Sequence, residues 1–80
     1  MPRLSRRAQK DLDALPDVLR EKALAILRRI DDEPTMGYKL LGKLDGKRSV
    51  RVGRSHRLVY EVEEGQVRVL AVPARKDAYR

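Results

Sequence analysis

The chain has no cysteine, no tryptophan and no phenylalanine, and only one histidine. Without cysteine it can form neither disulfides nor the common thiolate zinc sites, a usage that fits a reducing cytoplasm. Without Phe and Trp, its core falls to aliphatic side chains: 11 Leu, 8 Val and 2 Ile among 80 residues. That number suffices for one small core, so residues 1–80 are expected to form one domain. A chain this short buries only about 60–65% of its unfolded surface and rarely divides. No apolar run approaches the ~18 residues that cross a bilayer, and the first residues lack the apolar stretch of a signal peptide. A soluble, cytoplasmic protein with no membrane partner is the expectation.

Charge is abundant and unevenly placed. The net charge is +7. Residues 1–10 carry +4, residues 11–33 carry −3, residues 34–60 carry +6, and residues 61–80 are neutral. A basic band this dense points to a polyanionic partner, nucleic acid before any other, with solubility as the plainer explanation. Nothing points to a small-molecule cofactor or a metal.

Ser5 suits a helix cap, followed by Ala8, Leu12 and Leu15 at helical spacing. Pro16 breaks that helix, and Pro16-Asp17 suits the start of a second. Leu19, Ala23, Ile26, Leu27 and Ile30 then form one apolar stripe, with Arg20, Lys22, Arg28 and Arg29 largely off it. Pro34 cannot continue the helical hydrogen bonds and ends it. Residues 35–47, with Gly37, Gly42 and Gly46, read as an ordered loop. From Arg48 the period changes to two. Val50 and Val52 alternate with Ser49 and Arg51, residues 53–55 turn, residues 56–62 form a second strand, and a third covers 66–72 after a turn at 63–65. Pro73 is expected to end the sheet and to leave a short basic tail. The predicted fold is α+β: an N-terminal helical hairpin on a small antiparallel meander.

The residues Leu41-Gly42-Lys43-Leu44-Asp45-Gly46, Val50-Arg51-Val52-Gly53, Arg57-Leu58-Val59-Tyr60 and Arg75-Lys76-Asp77-Ala78-Tyr79, in that order behind a helical hairpin, resemble the RelE/ParE toxin superfamily. The resemblance spans nearly the whole chain. It implies the toxin of a type II toxin–antitoxin system with a RelE-like fold. The activity it implies is either a ribosome-dependent mRNA endoribonuclease (an mRNA interferase that inhibits translation) or a ParE-like gyrase inhibitor without nuclease activity. A degenerate toxin that keeps the fold and only binds antitoxin is a third form. A cognate antitoxin, the ribosome and mRNA are the implied partners. By the same resemblance, the catalytic positions of the ribonuclease members fall on Arg51, Arg57, Arg75 and Tyr79. The surrounding Lys43, Lys47, Arg48, Arg54, Lys76 and Arg80 are the expected RNA and ribosome contacts. Two positions depart from the ribonuclease pattern: Ser49 stands where relatives often carry a second basic residue, and Ala74 where many have a histidine. Only Pro2-Arg3-Leu4 precede the helix cap, which leaves the family's N-terminal edge strand reduced to a stub or lost.

Cleavage of RNA by its own 2′-hydroxyl needs a base, a cationic cradle for the phosphorane, and an acid for the departing 5′-oxygen. No metal is required. Alternation places Ser49, Arg51 and Gly53 on one face of the first strand, and Arg57, Val59 and Glu61 on one face of the second. A short turn lets Arg51 and Arg57 converge if the register allows, and Pro73 could return Arg75 and Tyr79 over them. Arginine binds phosphate through two parallel hydrogen bonds but stays protonated, so the three arginines are assigned to phosphate and transition-state charge. Tyr79, His56 or ribosomal groups are left to move protons. Tyr60, alternating with Leu58 and Val62, reads as core; His56 lies off the Arg57 face; Glu61 reads as a salt-bridge partner.

Overall fold

The computed structural model describes residues 2–39 and 46–74. Two helices, α1 (Arg6–Ala14) and α2 (Asp17–Asp32), lie on a five-stranded sheet. Its strands are β1 (Arg3–Leu4), β2 (Tyr38–Lys39), β3 (Lys47–Val52), β4 (His56–Glu63) and β5 (Gln66–Ala71), in the spatial order β1-β5-β4-β3-β2. Strands β3, β4 and β5 form the antiparallel meander that alternation predicts. The sheet is nevertheless mixed, because the stub β1 joins its far edge parallel to β5. On the other edge, β2 pairs with β3 inside the stretch expected as loop. Two residues are too few to display a period, so neither edge strand has a sequence signature of its own.

The helices start and stop where the sequence places them. The Ser5 hydroxyl accepts a hydrogen bond from Ala8 N (3.0 Å) and caps α1. Leu15 is extended ahead of Pro16, as the residue before proline prefers, and α2 follows at once. Ala8, Leu12 and Leu15 of the first helical segment and Ala23, Leu27 and Ile30 of α2 are buried against Val52, Leu58, Tyr60, Val67, Val69 and Val72. Truncating such a buried residue as Leu27 to alanine would cost about 2–5 kcal/mol. The Arg20 guanidinium, off the apolar stripe, closes the helical junction. It donates to the carbonyls of Leu12 (3.1 Å), Asp13 (2.9 Å) and Leu15 (2.9 Å) at the end of α1.

Two turns and one irregularity set the sheet. Glu64 (φ 52°) and Gly65 (φ 76°) join β4 to β5, and a pair of positive φ values is what a type I′ hairpin demands. Between β4 and β5 the register shifts: Val59 pairs with Ala71 but Tyr60 with Val69, so Leu70 is an extra residue on β5. This bulge moves Val72 onto the helix side, where it joins the core, and turns Ala71 to the opposite side. Helix α1 anchors the irregular backbone: Ser5 Oγ donates to Leu70 O (2.7 Å), and Asp11 Oδ2 accepts from Val72 N (2.9 Å). Pro73 does not end the pairing. Proline lacks only the donor, so its carbonyl still accepts from Arg57 N (3.0 Å), and Ala74 bridges to His56.

Candidate functional site

The helices cover one face of the sheet, and the expected site residues Arg51 and Arg57 lie on the other. On the uncovered face the cross-strand register places Arg51 of β3 directly opposite Arg57 of β4. Opposed residues share a face and have Cα atoms roughly 4.5–5.5 Å apart. The three-residue turn at Gly53–Ser55 fixes this register, with Val52 opposite His56 at its base. Gly53 has φ 62°, and a Cβ there would lie 2.8 Å from Leu19 Cδ2, so glycine serves both the turn and the close approach of α2. Arg51 is exposed and Arg57 half-buried. Two like charges directly opposite destabilise a bare sheet and favour an anion between them.

Beside this pair runs a row of small and buried residues on the same face: Ser49 opposite Val59, and Val59 opposite Ala71. Ser49 is 0% exposed, and its hydroxyl has no hydrogen-bond partner among the described residues. Tyr38 of β2 stands opposite Ser49 at the edge of this row, 77% exposed. A third row carries three cations and one carboxylate. It runs from Lys47 through Glu61 and Arg68 to Arg3, with Arg68 Nη1 4.0 Å from Glu61 Oε1. Glu61 is thus a salt-bridge partner, as its place in the sequence led one to expect.

The other sequence-derived site residues are dispersed. Arg54 is exposed in the β3–β4 turn, and Lys47 is half-buried in the charged row. Arg48 belongs to the opposite alternation, in register with Tyr60. Its Nη1 donates to Thr35 O (3.2 Å) and Gly37 O (2.9 Å), so this cation holds the turn after α2. Arg75, Tyr79, Lys43, Lys76 and Arg80 lie outside the described residues. Tyr60 is a core residue, 0% exposed, as expected. His56 is half-buried off the Arg57 face, its Nδ1 2.7 Å from Ser55 Oγ, in a polar cleft with Arg7, Asp11 and Ala74. Among the described residues no three His, Asp or Glu side chains gather to hold a metal ion. What this face offers chemically is two arginines in direct cross-strand register.

Tyr38 is the site-face residue that the sequence did not reveal. Nothing in the string Met36-Gly37-Tyr38-Lys39 separates a site aromatic from a loop residue; only pairing with β3 assigns its face.

The sequence matches the profile of the family described as ParE toxin of type II toxin–antitoxin system, parDE, over residues 3–79. No curated protein matches it significantly. Among solved structures, it is similar to a YoeB/ParE toxin from Agrobacterium tumefaciens (24% identity, TM-score 0.83), the match covering 94% of this chain and 99% of that one. It is similar to a chain of a RelBE toxin–antitoxin complex from Mycobacterium tuberculosis at 28% identity and TM-score 0.80, covering 94% and 96%. It also resembles a chain of the intact RelBE toxin–antitoxin complex of E. coli at 24% identity and TM-score 0.75, covering 90% and 92%.

Proposed function

The chain belongs to the ParE toxin family of type II toxin–antitoxin systems, and we propose that it acts as a ribosome-dependent, metal-independent mRNA endoribonuclease that arrests translation. The observation that carries this reading is the Arg51–Arg57 pair, two cations held opposite one another on the face the helices leave uncovered. In the proposed reaction the 2′-hydroxyl of a nucleotide attacks its own 3′-phosphate. The 2′-hydroxyl gives its proton to a base, and a P–O bond forms to the 2′-oxygen. The P–O bond to the next nucleotide's 5′-oxygen breaks, and that oxygen takes up a proton from an acid, leaving a 2′,3′-cyclic phosphate and a 5′-hydroxyl. Arg51 and Arg57 stabilise the dianionic phosphorane, and a preorganised guanidinium does so without reorganising in the transition state. Arg75 is the third phosphate ligand in this proposal, and Tyr79 stacks a base or holds the proton chain. Protonated arginines are poor acids and bases, so proton transfer falls to Tyr79 or to ribosomal groups.

A cognate antitoxin is the proposed protein partner, as in the RelBE complexes from M. tuberculosis and E. coli. The proposed setting is the cytoplasm, where ribosomes and mRNA meet the toxin. One observation favours a second reading, inhibition of gyrase without nuclease activity: Ser49, a neutral residue, occupies the centre of the site face beside Arg51. Primer extension on mRNA in a translating extract separates the two. Discrete new 5′ ends that depend on ribosomes support the ribonuclease. Intact mRNA together with blocked DNA supercoiling by gyrase would replace it with the second reading.

A further inference from the structure

Tyr38 is the exposed aromatic of the site face among the described residues. It is 77% exposed, on a two-residue edge strand, and the register assigns it to the same side of the sheet as Arg51 and Arg57. Scattered exposed apolar residues are ordinary on protein surfaces, so exposure alone carries little. Here two further observations bear on it. First, Tyr38 is the diagonal neighbour of Arg51, because its partner Ser49 precedes Arg51 by two positions. Diagonal cross-strand neighbours lie about 7–8 Å apart, within reach of aromatic and long side chains. Secondly, the backbone that carries Tyr38 is pinned from both sides. Gly37 N donates to the buried Tyr60 hydroxyl (3.0 Å), and Gly37 O accepts from Arg48 Nη1 (2.9 Å). A side chain left in solvent on a backbone anchored this firmly is a preorganised contact surface.

We propose that Tyr38 is a base-stacking residue of the site: its ring packs on a nucleobase of the single-stranded RNA whose phosphate lies on Arg51 and Arg57. This rests on the ribonuclease reading and adds to it a recognition element on the sheet edge. A phosphate on the arginine pair leaves the adjoining nucleotide to extend toward the β2 edge, where Tyr38 is the diagonal neighbour of Arg51. Its base then meets the Tyr38 ring. Stacking tolerates every base but favours purines, whose larger faces cover more of the ring, so Tyr38 contributes affinity and a purine bias. Arg48 acts through Tyr38 as a positioning residue, by holding Gly37.

The test uses the full chain with programmed ribosomes and with free oligoadenylate blocked at the 2′-positions. Because the chain has no tryptophan, Tyr38→Trp installs a single indole reporter at the position in question. Its fluorescence should be quenched by the oligoadenylate and not by an abasic sugar-phosphate oligomer of equal length. Single-turnover cleavage on ribosomes by Tyr38→Ala should be about 5- to 100-fold less efficient than wild type, the range expected from losing one stacked base. Tyr38→Phe should restore it. Placing an abasic nucleotide at the stacked position should make wild type and Tyr38→Ala alike. Cleavage that depends on Arg51 and Arg57 but is indifferent to Tyr38→Ala overturns the stacking role and leaves the ribonuclease intact. So does RNA binding without quenching, or quenching by antitoxin alone. Failure of the wild type to cleave on ribosomes overturns the ribonuclease reading, and the stacking role with it.

Discussion

The hydroxyl of the buried Tyr60 accepts a hydrogen bond from Gly37 N (3.0 Å) and donates one to Pro34 O (2.7 Å). One side chain of the central strand therefore fixes both ends of the turn that leads from α2 to the sheet edge. Tyr60→Phe should keep the packing and strand the Gly37 N–H, at a cost of about 1–3 kcal/mol. For a domain of this size that is a fall of roughly 5–20 °C in melting temperature. Gly37→Ala should be at least as damaging, since its Cβ would lie 2.7 Å from the Tyr60 hydroxyl and 3.0 Å from Ser49 O. Thermal melts of the two single variants and the double variant check this. The two losses should be less than additive, because removing the hydroxyl relieves one of the clashes.

Replacing Arg51 or Arg57 by alanine should reduce single-turnover cleavage by roughly 100- to 1000-fold, with much smaller changes in ribosome binding. Arg51 is exposed and opposes a like charge, so Arg51→Ala should melt no lower than wild type. His56→Ala, off that face, should leave cleavage near normal. Equal activity of wild type and both arginine variants would move the site elsewhere.

RNA binding should weaken steeply with salt. If the basic band over residues 34–60 makes about four phosphate contacts, raising salt from about 50 to 200 mM should weaken single-strand binding about 50-fold. Titrations of labelled oligonucleotide at several salt concentrations give the slope, and a flat dependence would reduce the band to a solubility feature.

Asp11 on α1 accepts the Val72 N–H at the end of the β5 bulge, where Val72 is 2% exposed. Asp11→Ala should leave that donor unsatisfied and destabilise the domain by about 1–3 kcal/mol. Asp11→Asn keeps an acceptor oxygen and should recover most of the loss. Hydrogen exchange at Val72 provides the local readout: faster exchange is expected in the alanine variant and near-normal protection in the asparagine variant.

An antitoxin at a hundredfold excess over its dissociation constant should stabilise the toxin by about 2.7 kcal/mol. A rise in melting temperature on the order of 10–20 °C follows from the size of the domain. The same antitoxin should compete with the ribosome. Formation of a ternary complex without competition would place antitoxin and ribosome on separate surfaces.

Local chemistry fixed the helices, because a cap at Ser5, breaks at Pro16 and Pro34 and a 3.6-residue apolar stripe act on neighbouring residues and need no distant partner. The same holds for the three long strands: alternation assigned Arg51 and Ser49 to one side and Val50 and Val52 to the other before any pairing was known. Pairing is a different matter. That Arg51 meets Arg57, that Leu70 is an extra residue and that Ala71 therefore turns away from the helices depend on hydrogen bonds between separate strands. A strand pattern of period two fits either register until a turn and a bulge choose one. The roles of Arg20, Arg48 and Asp11 were likewise invisible, since in sequence each is one more charge among many. Tertiary folding gave each a partly buried backbone group to satisfy, and a backbone donor or acceptor removed from water without a partner costs more than a surface charge gains.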